Sequence, residues 1–158
     1  MTVIVGISDA KVSVDRDAVL TTFSLGSCIA VTLYDPVRMV AGMLHFQLPT
    51  STMDVQRAKQ NPLMFADTGF AHLLAEVTRH GGEKKRLKVR MAGAAQMLND
   101  TNLFDIGRRN HAAMRKILWQ HGLFIDAEHI GGNAPRTMYL AVADGSVKIK
   151  MGPEMIQL

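Results

Sequence analysis

The first sixty residues carry short apolar runs separated by polar and glycine positions, a pattern that predicts β-strands. The runs are residues 2–7, 12–14, 19–23, 29–34 and 39–46. The last two flank residues 35–38, a turn-like tetrapeptide with proline at its second position, so we expect them to pair as an antiparallel hairpin. The polar stretch 50–61 is expected to be a surface loop.

Apolar positions at helical spacing then predict two helices. The first has Asn61 as a cap, Pro62 in its first turn and glycines 81 and 82 at its end, and the second runs from about Ile106 to Gly122. Further strands are predicted at 87–92, 124–130, 137–142 and 146–151. Many strands with two late helices predict a layered α/β or α+β fold, in which a β-sheet or β-sandwich core is flanked by helices. The length fits a single domain over residues 1–158.

Composition narrows the function only slightly. No apolar run is long enough to span a bilayer and the N-terminus lacks the features of a secretion signal, so membrane insertion is not expected. A single cysteine fits a reducing compartment, which indicates a cytoplasmic protein. The net charge of +4 suggests an acidic partner, but aromatic residues make up only 6% of the chain, so nucleic acid is not expected. The basic run 84–90 is interpreted as the solvated face of a strand, with binding of an acidic protein surface as a second use.

Cys28 is the main candidate for chemistry. A lone cysteine is commonly a buried core residue, and that alternative stays open on composition alone. Gly26 and Ser27 precede it and permit a tight backbone, whose N–H groups could bind an oxyanion and stabilise a thiolate. If the predicted hairpin closes around residues 35–38, Tyr34 opposes Met39.

That register also places Cys28 directly opposite His45, with Cβ atoms about 4.5–5.5 Å apart. The imidazole can then accept the thiol proton and later protonate a departing amine. Thr22 lies six residues before Cys28, on the same face of an extended strand. Its hydroxyl or carbonyl could orient the imidazole, although the spacing alone favours an ordinary strand threonine.

These segments resemble the CheD family of bacterial chemoreceptor glutamine deamidases. The resemblance begins with Thr-Phe-Ser-Leu-Gly-Ser-Cys at 22–28 and His-Phe-Gln-Leu-Pro at 45–49. It continues at 66–68, 92–95, 106–110 and 131–133 and so covers most of the chain. The Leu-Gly-Ser-Cys element, with a histidine 17 residues after the cysteine, is its most specific part.

The resemblance implies a protein-glutamine glutaminase that converts selected receptor glutamines to glutamates through a thioester, with release of ammonia. The family's catalytic cysteine, histidine and threonine fall on Cys28, His45 and Thr22. The partners would be the cytoplasmic helical bundle of a methyl-accepting chemotaxis receptor and, in some bacteria, a CheC-type phosphatase. We expect no cofactor and no metal, because the remaining histidines form no convincing ligand motif.

The chain departs from the family pattern at three places. Residues 23–24 are Phe-Ser where Leu-Gly is common, residue 92 is alanine where paired glycines are common, and Ala134-Pro135 precedes Arg136 where an aromatic residue and a glycine are usual. The last two changes are expected to stiffen loops and so to affect substrate choice.

Three other interpretations remain: an interaction module that binds and stimulates a CheC-type phosphatase, a redox-sensing thiol, and a nucleic-acid-binding protein.

Overall fold

The computed structural model describes residues 1–96 and 105–158. The strands within these residues are β1 Thr2–Ile4, β2 Asp9–Ser13, β3 Val19–Leu25, β4 Ile29–Asp35, β5 Val40–Phe46, β6 Lys88–Gly93, β7 Ala127–Ile130, β8 Arg136–Ala141, β9 Val147–Met151 and β10 Glu154–Gln157. The α-helices are α1 Val55–Gln60, α2 Ala66–Arg79 and α3 Ile106–Gln120. Short 3₁₀ turns occupy Ser51–Met53, Pro62–Met64 and Lys84–Arg86.

The strands of the described residues form two five-stranded sheets. Sheet A has the order β1-β3-β8-β9-β10, and sheet B has the order β2-β5-β4-β6-β7. The pairs β1–β3 and β6–β7 are parallel, and the other pairs are antiparallel. Sheet B lies between sheet A and the helices, so the predicted layered α+β fold is confirmed.

The position of sheet B explains why β4 and β5 are buried along their whole length. One face contributes to the core between the sheets, which includes Leu20, Ala30, Tyr34, Ala41, Met43, Met138 and Leu140. The other face packs on the helices in a second core, which includes Ile29, Val31, Leu44, Phe46, Phe70, Leu73, Met114 and Leu118. Strand β8 instead alternates buried and accessible residues, because only one face of sheet A is covered. No helix in the described ranges combines the length and apolar character needed to cross a bilayer.

Most predicted elements are confirmed, and the differences lie in polar segments. Residues 50–61, expected to be a loop, contain α1, which begins after Asp54; the Asp54 side chain accepts a hydrogen bond from the Arg57 amide. Asn61 caps the 3₁₀ turn Pro62–Met64, whereas α2 begins only at Ala66. Strand β10 is not predicted from the sequence pattern.

The turn of the β4–β5 hairpin differs from the prediction. Its loop is 36–39 rather than 35–38, because Asp35 is the last paired residue of β4. The Asp35 carboxylate accepts hydrogen bonds from the amides of Val37 (2.9 Å) and Arg38 (3.2 Å). Met39 completes the turn in a left-handed conformation, with φ of 55°.

This turn shifts the hairpin register by two residues. Tyr34 pairs with Ala41, and His45 pairs with Ala30. The prediction that Cys28 lies directly opposite His45 is therefore wrong. Because side chains alternate with a period of two, the shift keeps each residue on its face, and Cys28 packs against the core between the sheets.

The basic run 84–90 divides into a structural and a solvated part. Arg86 donates to the fully buried Asp35 through Nη2 at 2.8 Å and Nε at 3.0 Å. Burial alone would raise the pKa of Asp35, but the hydrogen bonds from Arg86 and nearby amides outweigh it and lower that pKa. Lys88 is exposed and Val89 is buried, which is the alternation expected of a strand with one wet face.

Candidate functional site

Thr22 and His45 meet between the two sheets, and both side chains are completely buried. Thr22 Oγ1 lies 2.7 Å from His45 Nδ1 and 2.7 Å from the carbonyl oxygen of Val5. A carbonyl cannot donate, so the single hydroxyl proton points to Val5 and Nδ1 of His45 donates to the Thr22 oxygen. The free electron pair of the neutral imidazole is therefore on Nε2.

The surroundings keep His45 neutral. Burial lowers its pKa to about 4, opposed by the negative charge of Asp9, which pairs with His45 in the β2–β5 register. Nε2 is buried and has no hydrogen-bond partner among the described residues. A neutral, unpaired imidazole nitrogen is a competent general base.

Cys28 is half-buried and has a free thiol. Burial raises the pKa of this thiol to about 11, and the residue's own amide opposes the shift only in part. Within the described residues no hydrogen bond joins its sulfur to His45 Nε2. The expected thiolate is thus not favoured in the protein alone, because burial penalises the charged form of both groups. The resting pair is a thiol and a neutral imidazole.

The loop 26–28 is held through its three successive carbonyl groups, each of which accepts one hydrogen bond from outside the loop. In chain order the donors are the Ala95 amide (2.8 Å), the Asn110 side-chain amide (3.0 Å) and the Ala94 amide (2.9 Å). The loop is therefore fixed from one side before any substrate binds.

The amide groups of the loop differ in availability. Gly26 N–H donates to the Ser24 carbonyl at 3.0 Å, so this amide is engaged, and its expected role as an oxyanion donor stays a prediction. The amides of Ser27 and Cys28 make no backbone hydrogen bond with the described residues. Ser24 has φ of 59°, a left-handed conformation that favours glycine.

Two residues that support the site were not identified from the sequence as functional. Gly93 has φ of 124°, and a Cβ there would lie 2.1 Å from the Cys28 carbonyl oxygen. Asn110 is fully buried on α3. The buried positions of this helix are Gly107, Asn110, Met114 and Leu118. A polar side chain within such a buried stripe is the signal that could have identified Asn110.

Ala134 and Pro135, which depart from the family pattern, lie in a loop that contacts the end of β6. The amide of Gly131 donates to the Gly93 carbonyl at 2.9 Å. Arg136, which is buried, donates to the carbonyls of Ala134 (3.2 Å) and Gly131. The loop that contains Ala134 and Pro135 is therefore hydrogen-bonded to the end of β6, and the residue after this strand donates to the Cys28 carbonyl.

The chain is similar to proteins of one family throughout its length. A family model described as CheD chemotactic sensory transduction matches residues 47–151. Three similar proteins are named probable chemoreceptor glutamine deamidase CheD. The Solibacter usitatus protein is 44% identical over 143 residues, which cover 90% of this chain and 85% of the relative. The Syntrophus aciditrophicus protein is 45% identical over 148 residues (94% and 92%). The Anaeromyxobacter dehalogenans protein is 43% identical over 156 residues (99% and 98%), and this alignment extends well before the start of the family-model match.

Proposed function

The chain belongs to the CheD family, and we propose that it hydrolyses specific glutamine side chains of methyl-accepting chemotaxis receptors to glutamate, releasing ammonia. Such an enzyme is a protein-glutamine glutaminase. The observation that carries the proposal is the hydrogen bond between Thr22 and His45, which leaves Nε2 as a neutral base. Cys28 lies in the same layer between the sheets as this base.

In the first half of the reaction, His45 Nε2 accepts the thiol proton of Cys28 as the sulfur attacks the glutamine carboxamide carbon. The developing oxyanion accepts hydrogen bonds from the amides of Ser27 and Cys28. The imidazolium then gives its proton to the departing nitrogen, ammonia leaves, and the substrate carbonyl remains bound to the sulfur as a thioester.

In the second half, His45 Nε2 removes a proton from water, and the hydroxide attacks the thioester carbon. Collapse of this intermediate breaks the carbon–sulfur bond and forms the glutamate carboxyl group. The proton on His45 returns to the Cys28 sulfur, which restores the thiol. Thr22 Oγ1 accepts a hydrogen bond from Nδ1–H of His45 throughout and so holds the tautomer that each step requires.

We propose the cytoplasmic helical bundle of the receptor as the substrate surface, and hence a cytoplasmic location. Glutamine-to-glutamate conversion adds negative charge to the bundle. A net charge of +4 on the chain would steer it towards a surface that carries acidic groups.

A CheC-type phosphatase is proposed as a second partner, and binding such a protein is the alternative function. The two functions make different predictions for Cys28→Ala. If the protein is a binding module, Cys28→Ala keeps its affinity for the phosphatase, and neither this variant nor the wild type releases ammonia from receptors.

The direct test is ammonia release from a purified receptor cytoplasmic fragment. We expect wild-type protein to release ammonia and Cys28→Ala to release none, while its circular dichroism and melting temperature stay close to those of the wild type. Undiminished release by Cys28→Ala would exclude the covalent mechanism. No release by the folded wild type from any glutamine-bearing receptor fragment would contradict the deamidase function.

A further inference from the structure

We propose that Asn110 is a positioning residue, which sets the separation of the Cys28 sulfur and the His45 imidazole by holding their two chain segments together. This inference rests on the proposed deamidase function. It assigns to a residue of α3 a role in a reaction whose reacting groups all lie on or beside the β-sheets.

Asn110 bonds to both segments with one nitrogen atom. Its Nδ2 donates to the carbonyl of Ser27 at 3.0 Å and to the carbonyl of Gln47 at 2.9 Å. Ser27 is adjacent to Cys28, and Gln47 follows His45 by two residues. Because both neighbours of this nitrogen are carbonyl oxygens, they require a donor, and the orientation of the side-chain amide is unambiguous.

The separation of the reacting atoms depends on such contacts. No hydrogen bond between Cys28 and His45 fixes it within the described residues. The amides of Ala94 and Ala95 tie the loop 26–28 to the end of β6, whereas Asn110 also ties it to the end of β5, the strand that carries His45. Loss of the Asn110 donor would therefore free the nucleophile from its base without removing either group.

Helix α3, which carries Asn110, packs closely against the chain that follows β6. A Cβ on Gly107 would lie 2.8 Å from the Ala94 carbonyl oxygen, so glycine permits the close approach of α3. Met114 and Leu118 anchor the same face of the helix in the core. The Asn110 Oδ1 is buried without a partner among the described residues. An apolar side chain would avoid that unfavourable burial, but it could not bridge the two carbonyls.

The test uses the reactivity of Cys28, which needs no receptor. Cys28 is the only cysteine of the chain, so alkylation by iodoacetamide reports on it alone. Second-order alkylation rates would be measured at neutral pH for the wild type, Asn110→Ala, His45→Gln and the double variant. Asn110→Asp, which keeps the side-chain shape but cannot donate when ionised, carries the same test if Asn110→Ala does not fold.

We expect each single substitution to slow alkylation by roughly tenfold, and the double variant to be no more than about twofold slower than the slower single variant. Such coupling arises only if Asn110 acts through the Cys28–His45 pair. Effects that multiply in the double variant, or an unchanged or faster rate in the Asn110 variants, would overturn the positioning role alone. An unchanged rate in His45→Gln would refute the base role of His45 and the positioning role together.

Leu118→Ala is the matched control for loss of stability. Leu118 is buried on the same face of α3, two helical turns from Asn110, and belongs to the core between sheet B and the helices. This variant is expected to melt at a lower temperature and to keep the wild-type alkylation rate. A loss of rate equal to that of Asn110→Ala would contradict a specific role for the Asn110 side chain.

Discussion

Replacing Thr22 with valine tests the orientation of His45, because valine matches threonine in shape and lacks only the hydroxyl. The change removes two buried hydrogen bonds of 2.7 Å at once. The Val5 carbonyl loses its donor, and Nδ1 of His45 loses its acceptor. Each buried polar group left without a partner costs about 1–3 kcal/mol. We expect the free energy of unfolding to fall by roughly 2–6 kcal/mol, measured by chemical denaturation.

The substitution is also expected to lower kcat, separately from its effect on stability. Without an acceptor at Nδ1, the imidazole proton can occupy Nε2, which removes the base. Losing an orienting interaction of about 1.4–2.7 kcal/mol in the transition state corresponds to a kcat lower by about 10- to 100-fold. KM should stay within about twofold of the wild type, because Thr22 is completely buried and cannot contact the substrate. The assay is ammonia release with kcat and KM determined separately.

Two control variants separate orientation from stability. Thr21 is the neighbouring strand residue, is 2% exposed, and donates to the Val19 carbonyl at 3.3 Å. Thr21→Val also removes a hydroxyl but leaves His45 untouched, so kcat should be retained. Thr22→Ser keeps the hydroxyl and should keep most of kcat. A Thr22→Val variant with wild-type kcat would refute the assigned tautomer and its role.

Three further predictions follow from burial and backbone geometry. The kcat/KM should rise through pH 4, as His45 with its pKa of about 4 loses its proton, and a step near the ordinary histidine value of 6.5 would contradict this environment. Gly93→Ala should lower the melting temperature by at least about 10 °C, because its Cβ would lie 2.1 Å from a carbonyl oxygen; unchanged melting would disprove the close approach. Asp35→Asn should cost about 2–4 kcal/mol in chemical denaturation at neutral pH, whereas Glu83→Gln, at an exposed ion pair, should cost less than about 1 kcal/mol. Since the folded-state pKa of Asp35 is lowered, the wild type should keep this contribution above about pH 4 and lose it at lower pH; equal costs for the two variants would contradict the buried pair.

Local periodicity was sufficient to predict the hairpin and the face of its side chains, but not its register. Residues 29–34 and 40–46 are apolar enough to be recognised as strands wherever the turn between them is placed. The register instead depends on how Asp35 bonds to the amides that follow it and on the left-handed Met39. Such hydrogen bonds carry no periodic signal. A two-residue shift leaves each side chain on the same side of the sheet. Cys28 and His45 therefore lie in one layer, as expected, although their predicted pairing is wrong.

The supporting residues of the site depend on long-range contacts and could not be predicted from spacing. Asn110 is 83 residues from Ser27 along the chain, and 63 from Gln47. Helix α1 was missed for a different reason: its six residues have no buried face, and Asp54 alone marks its start. Local sequence patterns describe an element's face, whereas these features depend on which elements meet.

In the proposed reaction, Cys28 forms the covalent intermediate of glutamine hydrolysis. The most direct test of this step is mass spectrometry of a receptor cytoplasmic fragment after incubation with the wild type or with Cys28→Ala. We predict a mass increase of about 1 Da at specific glutamines with the wild type and none with the variant, both proteins being folded. Equal conversion of the same glutamines by both proteins would contradict covalent catalysis by Cys28.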